Sequence, residues 1–240
     1  GERIQNELLK IFNLDTLTEE NLDKLFPVLS AVFPPLKVQW GFDQKNPYHE
    51  FFLWDHTAKT VVNVKKAFDQ YPELAKNKNM GLIRIAALLH DIGKPYSVRE
   101  DDVQKGIYHY YNHAEISSDM AKSMLKDNLR FSNRDVDYIS SLVRYHGRFL
   151  SPTRKSIRKA ARHIGEDRIE DLLLLMMADK SSQTSARGNE VLMKEVIKKY
   201  QNMPKPLLVD TSKIAVNGND ILTEFKLEPS PVIGKILNKI

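Results

Sequence analysis

The sequence contains no cysteine. That excludes a disulfide framework, a thiolate metal site and a cysteine nucleophile, and leaves His, Asp and Glu as the side chains that can hold a metal. Long apolar runs are also missing: none approaches the roughly 20 residues a membrane-spanning helix needs. The N-terminus shows no basic stretch followed by an apolar one, so a cytoplasmic protein with no membrane partner is expected. There is no internal repeat and no low-complexity tract. The 240 residues suffice for one large domain, or one domain with an appended lobe, and can bury a core without covalent staples.

Charge of either sign is nearly balanced, at a net +5, but the cations are unevenly placed. Lysine and arginine gather in Arg144, Arg148, Arg154, Lys155, Arg158, Lys159 and Arg162, and again in Lys194, Lys198 and Lys199. Such a distribution reads first as solvated helix faces, and more sharply as attraction to a phosphate-bearing substrate or to RNA.

Apolar periodicity predicts helices over 6–12, 22–32, 52–71, 81–92, 114–129, 132–145, 151–163, 166–180 and 190–200. Thr18 to Asn21, and Ser132 with Asp135, have the form of capped helix starts. Residues 38–48 read as an ordered loop, 72–80 as a polar connector and 97–106 as a charged loop. From Leu207 the texture changes: short apolar triplets flank turn residues such as Asn217-Gly218, and Pro229 and Pro231 interrupt the last stretch. A minor boundary near Met203 divides a helical domain, 1–203, from an irregular tail, 204–240.

The organising stretch is Arg84 to Pro95, where an almost wholly apolar helix delivers adjacent His90 and Asp91 just before Gly93 and Pro95 end it. Two polar groups among Ile85, Ala86, Leu88 and Leu89 need compensation for lost water. A divalent cation would compensate both, with an oxygen and a nitrogen ligand that suit Mn, Fe, Co, Ni or Zn better than Ca. The alternative is a helix cap, with His90 bonded to a terminal carbonyl and Asp91 paired to Lys94. Polar residues recur at comparable places in other helices: His56, His113, His146 and Asp179. Facing helices of a bundle can project such ligands into a shared interior. One ion would take His56, His90, Asp91 and Asp179, and a second would share Asp91 with His113 and His146. Each histidine taken alone also fits a helix cap, and Asp179 also fits pairing with Lys180.

His56, then His90-Asp91 in the setting Leu-Leu-His-Asp-Ile-Gly-Lys, then Asp179 after Met-Met-Ala, resembles the HD-domain metal-dependent phosphohydrolase superfamily, and His113 and His146 resemble its two-metal members. The resemblance implies an all-α HD bundle, His56, His90, Asp91, His113, His146 and Asp179 as ligands of two divalent ions (Mn, Fe, Co, Ni, Zn or Mg), and catalytic roles for Asp91 and Lys94. Arg144, Arg148 and His109 are weaker candidates for contact with a substrate phosphate. Residues 41–49 and two stretches from Val216 to Leu237 are similar to the C-terminal part of bacterial CCA-adding enzymes, in which the tail contributes to tRNA binding. The nucleotide-transferring head of that family, with its glycine-rich turn and paired aspartates, has no counterpart; Asp101-Asp102 is a loop pair. Two functions are therefore expected to compete. One is hydrolysis of a phosphate ester on a nucleotide, a cyclic nucleotide or an RNA end. The other is a tRNA- or RNA-binding module with a structural or vestigial metal site and an RNA-contacting tail.

Overall fold

Local chemistry sets where the helices start. Thr18 accepts from the backbone N–H of Asn21 while the Asn21 side chain accepts from the N–H of Thr18, a complete capping box at the head of α2 (Glu19–Val32). Asn79 caps α6 (Met80–Leu89), and Ser132 caps α8 (Asn133–Tyr145) through the N–H of Asp135. Thr153, rather than Ser151, caps α9 (Arg154–Ile164), because the helix begins two residues beyond Pro152. The computed structural model describes residues 1–45, 51–101, 105–183 and 186–208, with 219, 222, 223, 228, 230 and 231 beyond them.

The architecture is all-α. The remaining helices are α1 (Glu2–Phe12), α3 (Leu36–Gln39), α4 (Leu53–Gln70), α5 (Pro72–Ala75), α7 (His113–Ser123), α10 (Ile169–Lys180) and α11 (Ala186–Gln201). Two of them are apolar almost all round and form the axis of the bundle. In α6 every residue but Leu82 is buried, and in α10 every residue from Asp171 to Asp179 is. Helix α6 packs against α1, α4, α8 and α10, and α10 packs in turn on α4, α8, α9 and α11.

A buried arginine ties α1 to this axis. The Arg84 guanidinium, fully buried, donates to the carbonyls of Phe12, Leu14 and Val61, so it satisfies the frayed end of α1 from inside the core.

Three stretches differ from their expected form. The charged segment 97–106 and the aromatic segment after it pair as an antiparallel ribbon, β1 (Val98–Glu100) with β2 (Tyr108–Tyr110), in the register Arg99 opposite His109. The helix expected over 114–129 leaves α geometry after Ser123 and closes as a π-helical turn, Met124–Asn128. The connector 72–80 contains one helical turn, α5, and the loop expected over 38–48 begins inside another, α3. The expected features at 46–49, at Asp102 and at 209–218 lie outside the described residues, as does nearly all of the tail beyond. By compactness the chain divides into residues 1–204 and 205–240.

Candidate metal centre

Helix ends build the site. His90 and His146 stand at the C-caps of α6 and α8, and Asp179 is the penultimate residue of α10. His113 is the first residue of α7, and His56 lies in the first turn of α4. Asp91 follows the C-cap of α6. The C-termini of α6, α8 and α10 and the N-termini of α4 and α7 therefore meet at one spot.

The side chains form two groups that share Asp91. In one, His56 Nε2 lies 3.3 Å from His90 Nε2, 3.5 Å from Asp91 Oδ2 and 3.1 Å from Asp179 Oδ1. His90 Nε2 is 3.1 Å from Asp91 Oδ2. In the other, Asp91 Oδ1 lies 3.4 Å from His113 Nε2 and 3.5 Å from His146 Nε2. All are buried except His113, which is half-buried.

The orientation of three imidazoles follows from their carbonyl partners. His90 Nδ1 donates to Ala87 O at 2.6 Å, His113 Nδ1 to Tyr110 O at 2.7 Å and His146 Nδ1 to Val143 O at 2.6 Å. A carbonyl can only accept, so each Nδ1 carries the hydrogen and each neutral ring presents the Nε2 lone pair to the centre. The helix-cap bond and the ligand role thus use opposite edges of one ring. The pairing of Asp91 with Lys94, at 2.7 Å, and of Asp179 with Lys180, at 2.8 Å, also coexists with the cluster.

Asp91 Oδ1 is the telling atom. It is buried, has no hydrogen-bond donor among the described residues, and faces the lone pairs of two imidazole nitrogens. Acceptors converge there without a proton between them, which is unfavourable unless a cation fills the gap. The residues fit a divalent ion in each of the two groups.

Electrostatics agree. Burial would raise the Asp91 carboxyl, but His90 and Lys94 hold it well below the usual range. Burial acts likewise on Asp179, and Lys180 with His56 holds it well below. Burial lowers His56 against the pull of Asp179, and pushes His113 down to about 4, so both rings are neutral at pH 7. Burial pulls His90 down, but Asp91, Asp179 and the Ala87 carbonyl together leave it raised.

A cavity of about 210 Å³ opens on the cluster, lined by Asp91, Lys94, His113, His146, Asp179 and Lys180, with His109, Tyr110 and Gln183 at its wall. Lys94 is clamped: its Nζ also donates to Gln44 Oε1 at 2.8 Å, while Gln44 is fully buried and accepts from the Tyr110 hydroxyl at its carbonyl. Gln44 and Lys180 are site residues that sequence reasoning does not find. Gln44 sits in a stretch whose only sequence signal is turn chemistry, and Lys180 carries the bland reading of a partner for Asp179.

Arg144 and Arg148 do not line this cavity. Arg144 pairs with Asp119 at 3.2 Å beside a separate groove of α7, α8 and α9, and Arg148 covers the Tyr145 ring at 5.0 Å. Arg144 stands two residues before His146, about half a helical turn round α8, and Arg148 lies beyond the end of that helix.

The chain belongs to the HD domain family, which matches residues 53–184. Over its full length it is 28% identical, across 246 residues, to the CC-adding tRNA nucleotidyltransferase of Thermus thermophilus, and covers 51% of that protein. It is 25% identical over 251 residues to the A-adding tRNA nucleotidyltransferase of Deinococcus radiodurans, covering 53%. Half of the chain is 29% identical, over 128 residues, to 13% of the bifunctional uridylyltransferase/uridylyl-removing enzyme of Ruegeria pomeroyi. The chain thus spans about half the length of the two nucleotidyltransferases. Among the described residues no helix is long and apolar enough to cross a membrane.

Proposed function

We propose that this protein is a divalent-metal-dependent phosphohydrolase acting on a phosphate ester of a nucleotide, a cyclic nucleotide or an RNA end. The observation that carries the reading is the convergence of lone pairs on the donorless Asp91 Oδ1, beside a cavity walled by two ammonium groups. His56, His90, Asp91 and Asp179 would hold one ion, and Asp91, His113 and His146 the other. Such a pair of ions supplies Lewis acidity toward a phosphoryl oxygen and makes water a competent nucleophile at neutral pH.

The chain's own groups do the rest. The Lys94 ammonium, fixed by Asp91 and Gln44, keeps a third proton for a phosphoryl oxygen, and Lys180 presents a second cation from α10. Both lower the cost of charge that builds on phosphorus-bound oxygens. The buried aliphatic residues of α6 and α10 behind the cluster exclude water from its rear.

The test is metal content of protein purified without chelator or histidine tag, with hydrolysis of 4-nitrophenyl phosphate and bis(4-nitrophenyl) phosphate under Mn, Co, Ni, Zn or Mg. Bound metal and turnover, both abolished in Asp91→Ala, support the reading. Absence of turnover with every ion overturns it.

A second reading, a tRNA- or RNA-binding module, rests on α9. That helix carries Arg154, Lys155, Arg158, Lys159 and Arg162 with no acidic residue, and among the described residues none of the five is in an ion pair. The two nucleotidyltransferase relatives bear tRNA in their names, and a cytoplasmic protein that trims RNA ends unites the two readings.

A further inference from the structure

The histidines at this cavity fall into two kinds by their partners. His90, His113 and His146 give Nδ1–H to a carbonyl, which suits a neutral ring with a lone pair on Nε2. His109 lines the same cavity and has a different partner: its Nε2 lies 2.7 Å from Asp101 Oδ2. A carboxylate only accepts, so Nε2 carries the hydrogen of that bond. The other nitrogen, Nδ1, is then the edge left to carry a second proton. His109 belongs to neither ligand group.

The ribbon that carries this pair is anchored to hold it still. Asp101 N–H donates to Ile107 O at 2.8 Å and Tyr108 N–H to Lys45 O at 2.8 Å. Arg99 pairs with His109 in the β register, and the Tyr111 ring stacks on the imidazole at 5.6 Å between centroids. The side chains of His109 and Asp101 are 35% and 28% exposed, which leaves His109 open to exchange a proton with solvent between turnovers. Four residues along, α7 begins with the ligand His113, so the ribbon places an acid and a ligand at one wall.

We propose that His109 is the general acid of the hydrolytic site, held in place by Asp101; this rests on the phosphohydrolase reading above. A water oxygen forms a bond to phosphorus as the bond from phosphorus to the ester oxygen breaks. The ester oxygen keeps the bonding pair and takes the proton from His109, leaving as an alcohol. One proton of the attacking water passes to solvent, and solvent returns one to His109, so no other reactant is needed. Alcohol leaving groups such as those of a ribose need this proton, whereas 4-nitrophenolate does not. General acids of this kind are worth about 10² to 10⁴ in rate.

The experiment compares leaving groups. His109→Gln and His109→Ala are assayed on 4-nitrophenyl phosphate, phenyl phosphate and methyl phosphate in the metal-loaded protein, alongside Asp101→Asn. The expected result is a loss on methyl phosphate about 10² or more larger than the loss on 4-nitrophenyl phosphate, with phenyl phosphate between them, and an intermediate pattern for Asp101→Asn. Metal content is unchanged in all three. A readout without turnover accompanies it: the ¹⁵N resonances of His109 report an Nε2 hydrogen bond that disappears in Asp101→Ala. Equal losses on all three esters, or loss of metal in the His109 variants, overturns the acid role. A parent protein that hydrolyses none of them overturns the phosphohydrolase reading itself.

Discussion

Asp91 is asked to face two ways at once. Its Oδ2 lies toward His90, His56 and Lys94, and its Oδ1 toward His113 and His146. Each remaining ligand belongs to one side only. Asp179→Ala is therefore expected to lose about one equivalent of metal and keep the ion at Asp91, His113 and His146, and His146→Ala to do the converse. Asp91→Ala should lose both. Elemental analysis of the three purified variants checks this, and equal loss in all three would show one ion rather than two. At this scale much is legible in the chain alone. A histidine or aspartate beside an apolar run stands out wherever it falls, because burial without a partner is so unfavourable. The choice between cap and ligand for His90 is not legible, since the cap bond uses Nδ1 and leaves Nε2 for an ion. Gln44 is also hidden, because its value comes from a lysine 50 positions away.

Among the elements, the joint between α6 and α7 decides whether the two halves of the site meet. Gly93 carries it by having no side chain. A methyl group there would come within 2.5 Å of His113 O and 2.8 Å of Ser117 N, both backbone atoms, and 2.9 Å of Ser117 Oγ. The Gly93 N–H donates to that same Ser117 hydroxyl at 2.8 Å, so the close approach is a bonded one. Gly93→Ala must push the start of α7 away, taking His113 with it. The expected outcome is loss of about one metal equivalent with the ion at His56, His90 and Asp179 retained, and a destabilisation of about 1–3 kcal/mol in urea unfolding. Full metal content with unchanged stability would show that α7 yields without cost. The helices are legible because apolar spacing and caps are local. The β1–β2 ribbon is not: Val98-Arg99-Glu100 and Tyr108-His109-Tyr110 show no alternation strong enough to outweigh their charge, and the strands are three residues each. That ribbon brings Asp101 to His109, so the pairing at the cavity wall is hidden with it.

For the molecule as a whole, the basic helix and the cavity set different tasks. In α9, Ile157, Ala160, Ala161 and Ile164 are buried and Arg154, Lys155, Lys159 and Arg162 are exposed, so one face holds the fold and the other holds unneutralised charge. A small ester has no use for that face, because none of these cations lines the metal cavity. A polynucleotide does, since each phosphate neutralised by a cation releases counterions and makes affinity fall with salt. Replacing Arg154, Lys155, Lys159 and Arg162 by Gln removes charge from exposed positions and leaves the buried face intact, so the fold and 4-nitrophenyl phosphate turnover are expected to stay unchanged. Affinity for tRNA, followed by filter binding or anisotropy from low to moderate salt, is expected to drop at every salt concentration. The slope of log affinity against log salt should shrink by about 0.7 to 0.9 for each phosphate that the variant no longer neutralises. An unchanged slope in the quadruple variant would remove α9 from any RNA interface and leave the cavity to act on small esters alone.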